Sequence, residues 1–387
     1  MLGAKVSMDD KPKFLFLTCQ VGAEKALKDE MARRSPEFRF AFSRPGFLTY
    51  KLPPRMDMAD DFRLRSVFAR SYGFSIGKAE ISIPEAEPVV NLDDLAKQVW
   101  QIAPPMEFQR IHVWPRDTAP PGRHGYEPSI TPEAFQLHEA LRRHCPRPDV
   151  LAAEDADMNQ AASSGQLVLD CIIIDPGVCW VGYHRARGFS SRWPGGMILL
   201  QLPEDAVSRA WLKMEEGLRW SRLPIRTGNR CAEIGSAPGG SSQALLAHGL
   251  LVTGIDAAKM SSAVLEDPNF THLRRRVMQV RRRDFRKIRW LMSDINAVPK
   301  YTLDAVEAIV TEPTVNIRGL LLTLKFTDWK LADQIPEYLD RIRSWGYEVV
   351  RARQLLHNRQ EICVAAMNRA ARRRVSSPSR LRRKPAP

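Results

Sequence analysis

The sequence predicts an α/β fold: a mainly parallel, doubly wound sheet in the C-terminal half, closed by an antiparallel hairpin and preceded by smaller α+β modules. Three observations predict it. From about residue 188 to 369, strand-like and helix-like segments alternate, as in a parallel sheet with crossover helices. The last two strand-like runs, YEVVRARQLL and QEICVAAM, are separated only by His357, Asn358 and Arg359, too few residues for a crossover, so they pair antiparallel. Ahead of that region the chain carries hairpin signals, Arg44-Pro45-Gly46 and Asp175-Pro176-Gly177, each between two apolar runs.

Taken in order, Phe14 to Cys19 reads as a strand, and Gly22 to Arg33 as a helix with Ala23, Leu27 and Met31 on one face. FRFAF and FLTYKL flank the first turn, and NLDDLAKQVWQIA follows as a helix, which makes a small α+β domain of residues 1–100. Residues 101–186 hold a strand, RIHVW, and a helix opened by Thr131-Pro132-Glu133, where threonine caps and proline takes the first helical position. LVLDCIII and VCWVGYH complete this second module. Residues 187–370 form the large domain, with strands at CAEIG, LLVTGID, VMQVRR, IRWLMSDI, GLLLTLKF, YEVVRARQLL and QEICVAAM. Helices are expected between the first five, and a long one over DWKLADQIPEYLDRIRSWG. The tail, residues 371–387, has no acidic residue and is expected to be basic and disordered.

A chain of 387 residues exceeds one ordinary core, and 44% hydrophobic with 26% charged residues marks it as globular. No apolar run approaches the roughly 18 residues of a membrane span. The polar start lacks a signal-type hydrophobic stretch, so a cytoplasmic protein without a membrane partner is expected. The net charge of +14 and pI near 9.7 point to a polyanionic partner or a membrane surface. Six scattered cysteines with no CxxC pair argue against a disulfide framework and a zinc site, and no metal is expected. The sequence is silent on oligomeric state.

The strand CAEI runs into Gly235-Ser236-Ala237-Pro238-Gly239-Gly240 and then a helix. Glycines let a backbone turn sharply against a ligand, and the helix start offers free N–H groups. With Ala237 and Pro238 inside, this is not the G-x-G-x-x-G of dinucleotide sites, which disfavours a nicotinamide oxidoreductase. Asp256, ending the next strand, is placed to accept from ribose hydroxyls, and Asp284 from an adenine amino group. S-adenosylmethionine (SAM) suits such a turn, having no pyrophosphate to cradle.

Four ionisable residues sit at element ends: Lys213 on the helix SRAWLKMEEGL, Asp294 after the fourth strand, Lys325 ending the fifth, and Glu361 starting the last. Ligands of open α/β sheets bind outside the carboxyl ends of the strands, which is where Asp294 and Lys325 fall. Lysine is scarce, 15 against 43 arginines, yet two copies are here. A lysine crowded by a second cation in a partly dry pocket can act as a base.

GSAPGG, SRAWLK, LMSDI, LTLKF and ARQLLHNRQEICV together resemble the FtsJ-type 2′-O-ribose RNA methyltransferases, most of all the 23S rRNA cytidine-2′-O-methyltransferases of the RlmM type. The resemblance covers about residues 175 to 368 well and the front of the chain loosely. It implies a Rossmann-like SAM-dependent methyltransferase sheet behind an N-terminal and a THUMP-like RNA-binding domain, with SAM as cofactor and 23S rRNA as partner. It also implies that Lys213, Asp294, Lys325 and Glu361 form the family's K-D-K-E tetrad, with Lys325 the base. SAM contacts are implied for Ser208, Gly235, Ser236, Ala237, Pro238, Gly239, Gly240, Asp256, Asp284 and Asp294. The chain departs from the family in Glu233, where aspartate is usual, in Ser241, where an aromatic is common, and in the loop PGRHG near residue 123. Another rRNA or tRNA nucleotide as acceptor, and a non-catalytic RNA-binding factor on the same fold, are the alternatives.

Overall fold

The structure is a computed structural model that describes residues 12–53, 62–83, 90–158 and 160–371. Of the expected basic tail, all but Ala371 lies outside the described residues. The chain divides into two compact units, Met1–Leu199 and Leu200–Pro387. Among the described residues, no helix is long and apolar enough to cross a membrane.

The first unit contains β1 (Phe14–Thr18), α1 (Glu24–Arg34), β2 (Arg39–Arg44), β3 (Phe47–Lys51), β4 (Ser71–Glu80), α2 (Leu92–Ile102), β5 (Arg110–Pro115), α3 (Pro132–Arg143), β6 (Leu167–Asp175) and β7 (Val178–Arg185). Its seven strands make one sheet in the order β2-β3-β1-β4-β7-β6-β5, antiparallel except for the β5–β6 pair. The two front modules therefore share a sheet, because β4 pairs with β7 across the boundary expected near residue 100. Thr131 caps α3 as its sequence suggests, its side chain accepting from Ala134 N at 3.3 Å.

β4 was not among the expected strands. Gly73 and Gly77 interrupt its apolar pattern, and Gly73 is there for contact: a Cβ on it would lie 2.7 Å from both the Phe16 ring and the Tyr183 carbonyl oxygen. Gly182 on β7 does the same from the neighbouring strand, so Phe16 seats its ring against two glycines. Buried polar groups pin the surrounding loops. Arg70 donates to both oxygens of Asp117 at 2.7 Å, and His184 spans Asp170 and the Ser191 carbonyl at 2.6 Å each.

The second unit contains α4 (Ala210–Ser221), β8 (Arg230–Ile234), α5 (Gly240–Ala247), β9 (Leu251–Ile255), α6 (Ser262–Leu265), β10 (Phe270–Leu273), β11 (Trp290–Ser293), α7 (Pro299–Val310), β12 (Gly319–Lys325), α8 (Ile335–Ser344), β13 (Val349–Arg353) and β14 (Glu361–Met367). The sheet order is β10-β9-β8-β11-β12-β14-β13. The first five strands are parallel, and β14 is inserted antiparallel between β12 and β13. This is the mixed sheet with a closing hairpin that the sequence predicts.

Two details differ from expectation. The third strand is FTHL, whereas VMQVRR forms 3-10 turns at Val277–Gln279 and Arg282–Phe285. Val277 and Val280 are both buried and three residues apart, a turn spacing rather than the two-residue alternation of a strand. The segment from Trp329 begins as a 3-10 turn and becomes α8 only at Ile335, because Pro336 fits the first turn of a helix and not its interior.

The seat of Phe16 yields a test. Gly182→Ala would place a Cβ 2.6 Å from the Phe16 ring and from the Phe74 carbonyl oxygen. Overpacking of this kind costs about 1–3 kcal/mol. Urea unfolding of the variant is expected to show a lower midpoint at unchanged slope; an unchanged midpoint would mean the sheet absorbs the methyl group freely.

Candidate active site

The parallel strands β8, β11 and β12 all end on one edge of the sheet, and the polar residues of interest gather there. After β8 the chain turns at Gly235, whose φ of +80° an L side chain rarely adopts. A Cβ on Gly235 would also sit 3.0 Å from the backbone of Asp294, so the turn lies directly against the end of β11. Gly239 has φ +128°, and Gly240 starts α5 with no room for a side chain: its Cβ would be 2.3 Å from Ser208 Oγ. The Ala237–Pro238 peptide, between Gly235 and Gly239, is cis. Ser208 precedes α4 and accepts from Ala210 N at 3.3 Å.

Asp256 follows β9 and folds its carboxylate over this turn. One oxygen accepts from Ala237 N at 3.1 Å and the other from Ala258 N at 2.8 Å. Asp284 behaves differently. It is exposed on the turn Arg282–Phe285, and among the described residues no hydrogen bond or ion pair joins it to the other residues of the set.

Under the turn lies Glu233, on β8 and buried. Ser242 of α5 donates to one of its oxygens, while Oε1 has no hydrogen-bond partner among the described residues. Burial, with Asp294 and Asp256 nearby, pushes this carboxyl up to about 8, despite the hydrogen bond from Ser242 that pulls it down. It is therefore protonated at neutral pH, and nothing in its sequence context marks it as a neutral acid.

The four ionisable residues come together by three separate routes. Lys325 ends β12 and Glu361 begins β14, and the antiparallel register places them directly opposite each other. Asp294, one residue past β11, meets Lys325 with Oδ1 to Nζ at 3.2 Å. Lys213 reaches in from α4, its Nζ 2.5 Å from Glu361 Oε1. Two cations and two anions thus form two ion pairs whose carboxylates are more buried than their lysines. A small cavity between them is lined by Lys213, Ser241, Asp294, Thr323, Asn358 and Cys363.

Two contributors were not read from the sequence. Asn358 donates from Nδ2 to Glu361 Oε1 at 3.4 Å. Glu216, three residues after Lys213 on α4, accepts from the backbone N–H groups of Leu356 and His357. The residues before β14 are thereby tied to the helix that carries Lys213.

The turn fits a nucleoside cofactor with an amino-acid tail. Its glycines leave backbone exposed where side chains would stand, Asp256 is in place for hydroxyl donors, and Glu233 holds an unused oxygen beneath. A model of the FtsJ-like methyltransferase family matches residues 206–330, a span that takes in the turn, Lys213, Asp294 and Lys325. The curated relatives include several that carry the name ribosomal RNA large subunit methyltransferase M. The one from Halorhodospira halophila is 31% identical over 201 residues, covering 51% of this chain and 56% of that protein. The Proteus mirabilis protein is 27% identical over 215 residues, covering 52% and 57%. The Xylella fastidiosa protein is 30% identical over 189 residues, covering 47% and 53%. The chain thus spans about half the length of the curated relatives it matches. Among solved structures, TrmN from Thermus thermophilus aligns with 92% of the chain at 14% identity and a TM-score of 0.34, too low to carry any argument.

Glu233 makes stability depend on pH with a definite sign. An unfolded glutamate loses its proton near pH 4.3, whereas the folded protein keeps it to about 8. Between those values the native state binds the extra proton, so this contribution to stability is full at acid pH and is lost as pH rises. Glu233→Gln keeps the neutral shape and removes the titration. Its stability relative to the parent is expected to rise between pH 5 and 9, by on the order of 3–5 kcal/mol. Urea melts at the two ends of that range measure it, and a difference that does not change with pH would show that Glu233 titrates normally.

Proposed function

We propose, from the premise that residues 206–330 form an FtsJ-like methyltransferase domain, that this chain transfers a methyl group from SAM to a ribose 2′-hydroxyl of RNA. The relatives' name favours large-subunit rRNA as the acceptor, and the motif resemblance favours a cytidine of 23S rRNA within it. The observation that carries the reading is the junction of turn and tetrad. Gly235 abuts the backbone of Asp294, and Asp294 pairs with Lys325, so a cofactor seated on the turn would face the lysine.

When bound, SAM supplies a methyl group made electrophilic by the positive sulfur. Ser208, the turn from Gly235 to Gly240, Asp256 and Asp294 would hold it, with the exposed Asp284 carboxylate accepting from the adenine amino group. The rest falls to the tetrad. An alcohol is a poor nucleophile until its proton has somewhere to go, and Lys325 Nζ, acting in its neutral form, takes that proton. Asp294 orients the amine before the transfer and stabilises the ammonium after it. Lys213 and Glu361 hold the hydroxyl and its ribose in line. Alignment of this kind can remove ~7–11 kcal/mol of barrier, and a positioned base adds ~10²–10⁴-fold.

The RNA partner is favoured by charge. The formal charge is +14, and in the second unit Arg274, Arg275, Arg276, Arg281 and Arg283 are all exposed on the segment after β10. Contacts from such a segment go to phosphates and weaken steeply with salt.

Lys325→Ala is expected to lower methyl transfer to rRNA by about 10²-fold or more, while SAM affinity measured by calorimetry changes little. Transfer at near parental rates would remove Lys325 as the base. Mapping ribose methylation in rRNA from cells with and without the protein identifies the acceptor; an unchanged rRNA with an altered tRNA would move the substrate assignment to tRNA.

A further inference from the structure

We propose that Glu216 is a positioning residue for this site: its carboxylate clamps the segment before β14 and so sets Asn358 and Glu361 against Lys213. The inference rests on the methyl-transfer reading above. Glu216 is only 4% exposed, and its two oxygens accept separately from Leu356 N at 2.8 Å and His357 N at 3.0 Å. Among the described residues no basic side chain pairs with it. A buried carboxylate answered only by two amides is a directional device, since it holds only if both N–H groups point at it.

What those amides belong to gives the clamp its consequence. Asn358 follows immediately; its Oδ1 accepts from Leu355 N at 2.9 Å, and its Nδ2 donates to Glu361 Oε1 at 3.4 Å. The same oxygen receives Arg359 N at 3.4 Å and lies 2.5 Å from Lys213 Nζ. Lys213 is three residues before Glu216, hence on the same side of α4. The contacts therefore close a ring: from α4 through Glu216 to the segment, along it to Asn358 and Glu361, and back through Lys213 to α4. Loosening Glu216 leaves β14 paired with β12 but frees the residues that aim the Glu361 carboxylate.

The requirement is for a carboxylate and not merely for bulk. In Glu216→Gln one acceptor becomes an NH2 group, which would face an amide N–H donor to donor. The variant is expected to bind SAM within about twofold of the parent, to lose about tenfold in kcat with KM for RNA little changed, and to exchange the amide protons of Leu356 and His357 faster. Exchange is read by mass spectrometry on the full chain and does not depend on activity.

Parental exchange at those amides would overturn the proposal. So would a loss of kcat accompanied by an equal loss of SAM affinity, which marks a general structural defect. Lys325→Ala in the same assay separates the two levels. If it is slow while Glu216→Gln runs at the parental rate, the positioning role alone fails; if the parent protein itself transfers no methyl group from SAM to RNA, the methyl-transfer reading fails and the positioning role with it. Should Glu216→Gln not fold, Asn358→Ala opens the ring at another link. It is expected to show the same split between kcat and SAM affinity, and parental kcat in that variant would overturn the ring.

Discussion

The antiparallel insertion of β14 is the constraint on which the site depends. In a parallel sheet every strand delivers its carboxyl end to the same edge, and a strand's first residue lies at the opposite edge. Because β14 runs against β12, its first residue, Glu361, stands opposite the last residue of β12, Lys325. One sheet edge thus receives the ends of β8, β11 and β12 and the beginning of β14. All seven residues of β14 are buried, and that burial holds the register: a slip by one residue would turn Glu361 to the other face of the sheet. The apolar run ICVAAM is therefore part of the chemistry, since it determines which residue faces the lysine.

The second constraint is close approach. The turn after β8 touches Asp294, Ser208 and α6 at positions where no side chain can be inserted. Asp256 spans the same turn, accepting from amides on both sides. Beneath it Glu233 remains protonated, which keeps a third carboxylate charge away from Asp256 and Asp294. Aspartate at that position would be one methylene shorter. The longer side chain here reaches Ser242 on α5 and ties the turn's floor to the helix that follows it.

Much of this was legible in the sequence, and the exceptions have physical causes. β8, β9, β11 and β12 announce themselves as apolar runs ending in glycine, aspartate or lysine, because buried parallel strands need no alternation. β10 does not: of its four residues only Phe270 is buried, as an edge strand allows. The arginine-rich stretch after it imitates a strand by composition while its valines keep a turn's spacing. β4 is hidden by glycines that exist to seat Phe16. Asp294, Lys325 and Glu361 could be singled out because polar groups at strand ends are conspicuous, Lys213 because lysine is scarce in this chain, and the cofactor turn because glycines cluster there. Glu216 and Asn358 gave no such signal. Glu216 reads as one more acid on an amphipathic helix, and its partners are backbone amides 140 and 141 residues away.

The geometry also separates the two lysines, which the sequence alone treats alike. Lys213 is 2.5 Å from a Glu361 oxygen that additionally receives Asn358 and Arg359, so its ammonium belongs to a fixed polar cluster. Lys325 is 3.2 Å from Asp294 Oδ1, an oxygen that takes no aligned hydrogen bond from it, and its side chain is the more exposed of the two, 21% against 17%. A base must release a proton and present its lone pair toward a substrate, which a tightly coordinated ammonium does poorly and a loosely oriented amine does well. The same two carboxylates thus serve opposite ends. Glu361 holds one lysine in a polar cluster, whereas Asp294 meets the other through an oxygen that takes no aligned hydrogen bond. That asymmetry originates on the Glu361 side, where Asn358 and Arg359 supply the extra contacts, and it supports the proposal of Lys325, and not Lys213, as the base.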